Sequence, residues 1–464
     1  MGSKLETSTS CTPRNGYRFV VLALTALCLT SICSNMIAFN VTMLCMDDDV
    51  QNSTDIQSSM TDSEKTKRNS ILIWAVSIGS ILSTFPFNIF YSRFGARYVF
   101  LGAGLISMIS TALLPLASMW GMAPFIVVRF LQGVAFAANF ACIGMVTSRW
   151  ACLDENGFFL SAMTNFSQIS VILTNPITGA LCDSSWGWHS AYYLHAALGP
   201  LLFGAWIVLY TDYPEQHKWI SSAEKEKIMY GKNKDHRKLD GFVPYMEICK
   251  NRVILIVWFN AFGDIISAIF LLTYFPTYLT SVLKYPLQTA AVLSMLPAIS
   301  HIPTKLAFGW VFDKTTFMTE VNKMRICNTI ALAGSAICFI IVGFIPDELA
   351  WLSVTITTIN YAFIGANCSG FYKCGSLVSR QYSHFVIANI QFLKCISLFV
   401  SPLMVWIFVS DTSSRQQWHI IYIIMGSFLI VANFLFCYYV TDEPADFTQI
   451  TKTSKRNAKT IVNN

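Results

Sequence analysis

The chain has 464 residues, of which 54% are hydrophobic and only 12% charged, about half the charged share of an ordinary soluble domain. A soluble protein of this length needs several charged domain surfaces, and 32 Lys+Arg with 26 Asp+Glu cannot cover them. The balance excludes a soluble enzyme, a nucleic-acid-binding domain and a disordered scaffold, and points to the lipid bilayer as solvent.

A bilayer core of about 30 Å needs about 20 apolar residues per helix. A polar stretch of fifteen residues leads into the first apolar run, which is too long for a signal-peptide core. Spans are predicted at 18–44, 70–90, 98–118, 123–147, 157–181, 190–210, 253–275, 288–312, 325–345, 349–372, 384–409 and 418–440. The fold class is therefore an all-α polytopic membrane protein of twelve helices in two six-helix sets. Between spans 1 and 2 the polar stretch 47–69 carries Asn52-Ser53-Thr54, a glycosylation acceptor if the segment is external and a bare solvated loop otherwise.

Spans 2 and 3 are joined by Ser92-Arg93-Phe94-Gly95-Ala96-Arg97, and span 8 ends in Gly309-Trp-Val-Phe-Asp313-Lys314. A small or acidic residue followed by a base recurs at both helix ends, 221 residues apart when measured from Asn88 to Gly309. Half-chain spacing suggests duplication; an ordinary basic loop is the simpler alternative for Arg93 and Arg97. Of the Lys and Arg residues, 24 lie in the tails and alternate loops on one side, 5 in the loops on the other and 3 inside spans. Basic residues collect on the cytosolic side. The expected layout is a cytosolic tail 1–17, a bundle 18–210 with external loop 47–69, a cytosolic loop 211–252, a bundle 253–440 and a cytosolic tail 441–464.

The 14 cysteines include no C-x-x-C pair, and several lie in apolar runs. They are read as small hydrophobes, with neither a disulfide framework nor a metal site. No nucleotide-binding loop or nucleophile–base arrangement is visible, so no enzyme activity and no cofactor are expected.

The linker at 88–97, its second copy at 309–314 and Arg129-Phe-Leu-Gln132-Gly133 in span 4 resemble motifs of the major facilitator superfamily. Four further stretches are similar to its anion–cation symporters, the type I sodium–phosphate cotransporters, sialin and the vesicular glutamate transporters. They are Asn40-Val-Thr-Met, Trp186-Gly-Trp-His-Ser-Ala-Tyr-Tyr193, Tyr213-Pro-Glu-Gln-His217 with Glu224-Lys-Glu-Lys-Ile228, and Phe275-Pro-Thr-Tyr-Leu279 with Leu293-Ser-Met-Leu-Pro297. The resemblance covers residues 18 to 440. It implies two rocking halves, a central cavity lined by helices 1, 4, 7 and 10 with 2, 5, 8 and 11 beside them, and a gating loop at Arg93, Gly95 and Arg97 with its copy at Gly309 and Asp313. The chain departs from these relatives at Ala38, where many carry Arg, at Phe136, where the glutamate transporters are acidic, and at Asp264, where they are basic.

Four ionisable residues fall inside spans: Arg129, Asp264, Lys305 and Lys394. Each costs at least about 2.5–3.5 kcal/mol on insertion scales and marks a candidate site. Arg129 and Lys394, with Asn40, Asn260 and Asn367, are the expected substrate-binding residues. Lys305 and His301 add cavity charge, although Lys305 is also near enough to a helix end to snorkel. Asp264 either carries the coupling ion or pairs with a lysine. The implied activity is secondary transport of a small organic anion or phosphate coupled to H⁺ or Na⁺, in a plasma or endolysosomal/vesicle membrane; the alternative is a transporter-fold receptor or sensor. Expected partners are the anionic solute, the coupled cation and the bilayer, with no nucleic acid and no metal.

Overall fold

Every apolar run of the sequence is helical in the computed structural model, which describes residues 16–52, 62–152, 155–229 and 244–450. No strand occurs among the described residues. The helices are α1 (Tyr17–Ile37, continuing as Phe39–Asn52 past a turn at Ala38), α2 (Asp62–Phe94), α3 (Ala96–Met119), α4 (Met122–Trp150), α5 (Asn156–Thr164 and Phe166–Cys182) and α6 (Gly187–Leu209). They continue as α7 (Arg252–Ser281), α8 (Leu287–Leu293 and Leu296–Lys314), α9 (Glu320–Phe344), α10 (Ala350–Ile364 and Phe371–Ser379), α11 (Ser383–Phe408) and α12 (Arg415–Tyr439). Ten of these rods are long and apolar enough to cross a membrane by length and composition alone. The other two, α5 and α10, are interrupted and rich in polar side chains.

The stretch 47–69 is less of a loop than its polarity suggests. α1 runs on to Asn52 and α2 starts at Asp62. With 33 residues, α2 is about 50 Å long and outreaches a bilayer core, so its first turns take polar side chains. The side chain of Asn52, and Ser53 and Thr54 beyond it, lie outside the described residues, as does the side chain of Asp313.

In the N-terminal half α2 packs on α4, α3 on α4 and α6, and α1 on α4, α5 and α6; in the C-terminal half α7 packs on α10, α11 and α12, α8 on α10, and α9 on α10 and α12. The halves meet where α2 lies against α11 and α5 against α8. A half-chain repeat exchanges these two pairs, as duplicated transporters require. The α2–α4 seam explains one sequence motif. A Cβ on Gly133 would fall 2.0 Å from the Val76 carbonyl oxygen, and one on Gly79 would fall 2.3 Å from that of Phe130. Only glycines permit so close an approach, and it brings Arg129, one turn from Gly133, against α2. Large side chains such as Leu82, Phe85, Leu201, Val208 and Phe434 are exposed on the bundle's outside, where lipid covers them.

At the end of the bundle opposite the described termini, Cys45 of α1 and Cys182 of α5 form a disulfide with Cα atoms 6.1 Å apart. This corrects the reading that no cysteine serves a bridge. The two residues are 137 positions apart, and nothing in their local sequence links them; the packing of α1 on α5 does. At the other end, Arg18 donates to Glu155 from Nε (2.7 Å) and Nη2 (3.0 Å) and to Glu224 from Nη1 (3.1 Å). Glu224 belongs to a short helix, Ser222–Met229, in the connection between halves, and it also accepts the backbone N–H groups of Tyr17 and Arg18. An acidic side chain thus caps α1 from outside the bundle.

Candidate functional site

Arg129 is 1% exposed and sits over the Phe39 ring at 4.4 Å. Its Nη1 donates to the Met36 carbonyl (3.0 Å) and to Gln132 Oε1 (2.6 Å), and its Nε points at the Leu72 carbonyl (3.4 Å). Gln132 is held in turn by the Asn35 carbonyl and by Thr111. Half of the guanidinium fork is therefore spent on α1, α2 and α4, and Nη2 makes no hydrogen bond among the described residues. No carboxylate lies within 4.0 Å of the guanidinium among those residues. A buried arginine held this way keeps part of its fork available for a planar anionic group.

The facing charges come from the other half. Lys394 of α11 reaches Ser167 Oγ of α5 (3.5 Å) and lies over the Phe166 ring at 4.9 Å. Lys305 of α8 reaches Thr164 Oγ1 of α5 (3.4 Å). Arg129 and Lys394 line one central cavity of ≈ 40 Å³ with Asn40, Ser167, Thr273 and a mainly apolar wall that includes Met36, Ile73, Phe136 and Ile269. Asn40 Nδ2 points at the Leu272 carbonyl across the halves (3.4 Å).

Asp264 is near the middle of α7 and 4% exposed. Its Oδ2 accepts from Asn367 Nδ2 (2.8 Å), while Oδ1 is buried with no hydrogen-bond partner. Asn367 lies in the tight 3₁₀ stretch Gly365–Ser369 that interrupts α10, and that interruption aims its amide at α7. No lysine comes within 4.0 Å of the Asp264 carboxylate. His301 turns its Nδ1 to the Tyr361 carbonyl (3.1 Å), against the Tyr361 ring.

Asn260 is not brought to the cavity. Its Oδ1 accepts from Asn328 Nδ2 (3.1 Å), which also donates to Asn433 Oδ1 (2.9 Å), in a cluster joining α7, α9 and α12. Polar side chains between helices inside one half act as glue, and periodicity within a single span does not reveal which neighbour an asparagine faces.

At the linker between α2 and α3, Arg93 is exposed and Gly95 has φ +77°. A Cβ on Gly95 would collide with Asp212. Arg97 donates to the Ile207 carbonyl of α6 from Nε and Nη2. Asp212, which the sequence reading missed, accepts from the backbone N–H groups of Ala96 (2.6 Å) and Arg97 (3.4 Å) and pairs with Arg149 (2.8 Å). It supplies the carboxylate that Ser92 does not, from a position 120 residues further along the chain. Gly309 lies inside α8 as its counterpart Asn88 lies inside α2, and the two helices end at the matching places, Lys314 and Phe94. His217, in the stretch after α6, bonds the Leu209 carbonyl (3.1 Å) and stacks on Tyr17; burial lowers its pKa and keeps the ring neutral.

A family model described as Major Facilitator Superfamily matches residues 23–402. Human sialin is 25% identical over 371 residues, covering 79% of this chain and 74% of sialin. Mouse sodium-dependent phosphate transport protein 1 is 22% identical, covering 95% and 97%. The human probable small intestine urate exporter is 26% identical, covering 74% and 69%. Among solved structures, a D-xylose–proton symporter superposes with a TM-score of 0.70 at 13% identity, covering 94% of this chain and 100% of that one. A bacterial homolog of the human lysosomal transporter Spinster, inward-facing and occupied, gives 0.68 at 12% identity, covering 93% and 99%. The chain therefore belongs to the Major Facilitator Superfamily: it is an integral, multi-pass membrane transporter, and within the superfamily it resembles the anion–cation symporters.

Proposed function

We propose that the protein is a secondary active transporter that moves a small organic anion or phosphate by alternating access, with H⁺ or Na⁺ as the coupled ion. The observation that carries the reading is the central cavity, where Arg129 from one half and Lys394 from the other face the same space with no carboxylate between them. An anion held by both cations stabilises the closure of one half on the other. Membrane potential, negative inside, opposes anion entry by about 2.3 kcal/mol per charge per 100 mV, so accumulation needs a cation. Asp264 is our candidate carrier, because its Oδ1 is buried and unpartnered. The 24-to-5 basic asymmetry and a disulfide at the end opposite the termini support an orientation with both termini in the cytosol and residues 47–69 outside.

Uptake of labelled phosphate and of a panel of carboxylates into proteoliposomes, with imposed pH or Na⁺ gradients, tests this. Arg129→Lys is expected to reduce uptake at least tenfold, because a single ammonium lacks the planar fork that holds Met36 and Gln132 from one nitrogen and offers a second to the substrate; Arg129→Ala abolishes it. Wild-type uptake by the Lys variant overturns the assignment, and wild-type protein that moves no anion under any gradient favours a sensor.

A further inference from the structure

A second cavity lies at the bundle end opposite the termini, between the halves. Its volume is ≈ 340 Å³, and Met43, Leu44, Lys65, Thr66, Asn69, Thr277, Thr280, Ser281, Tyr285, Leu287 and Thr412 line it. Small-molecule sites run from about 300 to 1,000 Å³, so this vestibule holds a small solute. The central cavity, at ≈ 40 Å³, has room for roughly three waters and must open before it takes an anion. In the conformation described, the vestibule is the larger and better-hydrated space.

Its chemistry is that of an oxyanion site. Lys65 is half-buried in the wall, and no carboxylate lines the cavity among the described residues. Thr277, Thr280 and Ser281 line it along the last turns of α7; the Thr280 hydroxyl donates to the Pro276 and Thr277 carbonyls (3.2 Å each), so of the two threonines Thr277 is the one that offers a donor. Thr277 is 6% exposed and its Oγ1 is buried with no hydrogen-bond partner. The Asn69 oxygen is turned to Arg68, whose Nε and Nη2 both lie at 3.3 Å, which brings a second cation behind the wall. The vestibule and the central cavity are also stacked on the same two helices. Asn40 and Thr273 line the lower space, and Met43 and Thr277 line the upper one, a single turn or about 5–6 Å further along α1 and α7. Asn40 pointing at the Leu272 carbonyl closes the layer between them.

Resting on the anion-transport reading, we infer that this vestibule is a loading site, where an oxyanion binds to Lys65 and Thr277 before the Asn40 layer opens to Arg129 and Lys394. Substrate arriving from the vestibule side uses it, whereas substrate arriving from the terminal side reaches the central cavity first.

The test uses full-length protein in proteoliposomes, with inorganic phosphate and benzoate as probes. Lys65→Gln and Thr277→Val are expected to raise the half-saturation concentration about tenfold for anion offered on the vestibule side, the change expected when one charge-assisted hydrogen bond is lost. The same anion offered on the terminal side keeps its value, and maximal exchange is unchanged. An equal change on both sides, or none on either, overturns the proposal. A second measurement does not depend on transport. Thr280→Cys should react faster with an impermeant anionic thiol reagent than with a cationic one, Lys65→Gln should erase that preference, and a saturating probe anion should slow the reaction. No charge preference, or no protection by either probe, also overturns it. Protection without transport leaves the vestibule standing and removes the transport reading instead.

Discussion

Asp264 is the residue proposed to carry the coupled ion. One carboxylate oxygen is held by Asn367 and, among the described residues, the other has no partner and no lysine is within ion-pair distance. A fixed salt bridge would have used both oxygens and left nothing for a proton or Na⁺ to join. Asp264→Asn keeps the size of the side chain and mimics a permanently neutral state. The expected outcome is that anion exchange across proteoliposomes survives while gradient-driven accumulation falls to the level seen without a gradient. Accumulation that matches wild type across pH and Na⁺ conditions takes Asp264 out of the mechanism. The two lysines behave differently: each leans from the C-terminal half onto α5, Lys305 at Thr164 and Lys394 at Ser167. Both hydroxyl contacts are long, at 3.4 and 3.5 Å, and Lys394 adds the face of the Phe166 ring.

At the level of helices, termini are tied down by charges that lie far away in sequence. α3 starts on Asp212 and α1 on Glu224, so the connection between halves is fastened to the N-terminal half. Glu155, at the start of α5, is held by Arg18 and Lys227, and hydrogen bonding to Arg18 keeps its carboxyl below the usual carboxylate range. A depressed carboxyl pKa contributes stability that is fully present above the unfolded value of about 4.3 and is lost as pH falls through the folded value. Thermal unfolding of detergent-solubilised protein should therefore show Glu155→Gln less stable than wild type by about 1–3 kcal/mol near neutral pH. The gap should close on acidification below the normal carboxylate range. A gap independent of pH contradicts the assignment. Interruptions matter as much as termini: the 3₁₀ stretch of α10 is what presents Asn367 to Asp264.

For the whole molecule, the bridge between Cys45 and Cys182 fastens α1 to α5 within one half, so it stiffens that half without tying it to the other. Changing both cysteines to Ala should lower stability by about 2–4 kcal/mol while leaving exchange rates near wild type. A reductant should destabilise wild type and leave the double variant unaffected. On intact cells, reduction should expose thiols at 45 and 182 to an impermeant label without permeabilisation; labelling only after permeabilisation reverses the proposed orientation.

What the sequence determined by itself was whatever depends on local composition. A run of twenty apolar residues has to be a membrane helix because lipid offers no partner to an unsatisfied backbone, so the ten helices long and apolar enough to cross a bilayer were readable. Arg129, Asp264, Lys305 and Lys394 stood out because charge is rare where lipid is the solvent. The tertiary structure alone decided which groups meet. Asn260 and Asn367 look alike in sequence, yet one joins α9 and α12 while the other faces Asp264. Asp212 supplies a carboxylate that the linker lacks from a distant loop, and Cys45 finds Cys182 because α1 packs on α5. The vestibule is assembled from the ends of α1, α2, α7 and α8 and from the link between α11 and α12, which only the packing of the helices brings together. Hydropathy reports how each segment meets its solvent, whereas a site is a property of distances between segments, and packing sets those.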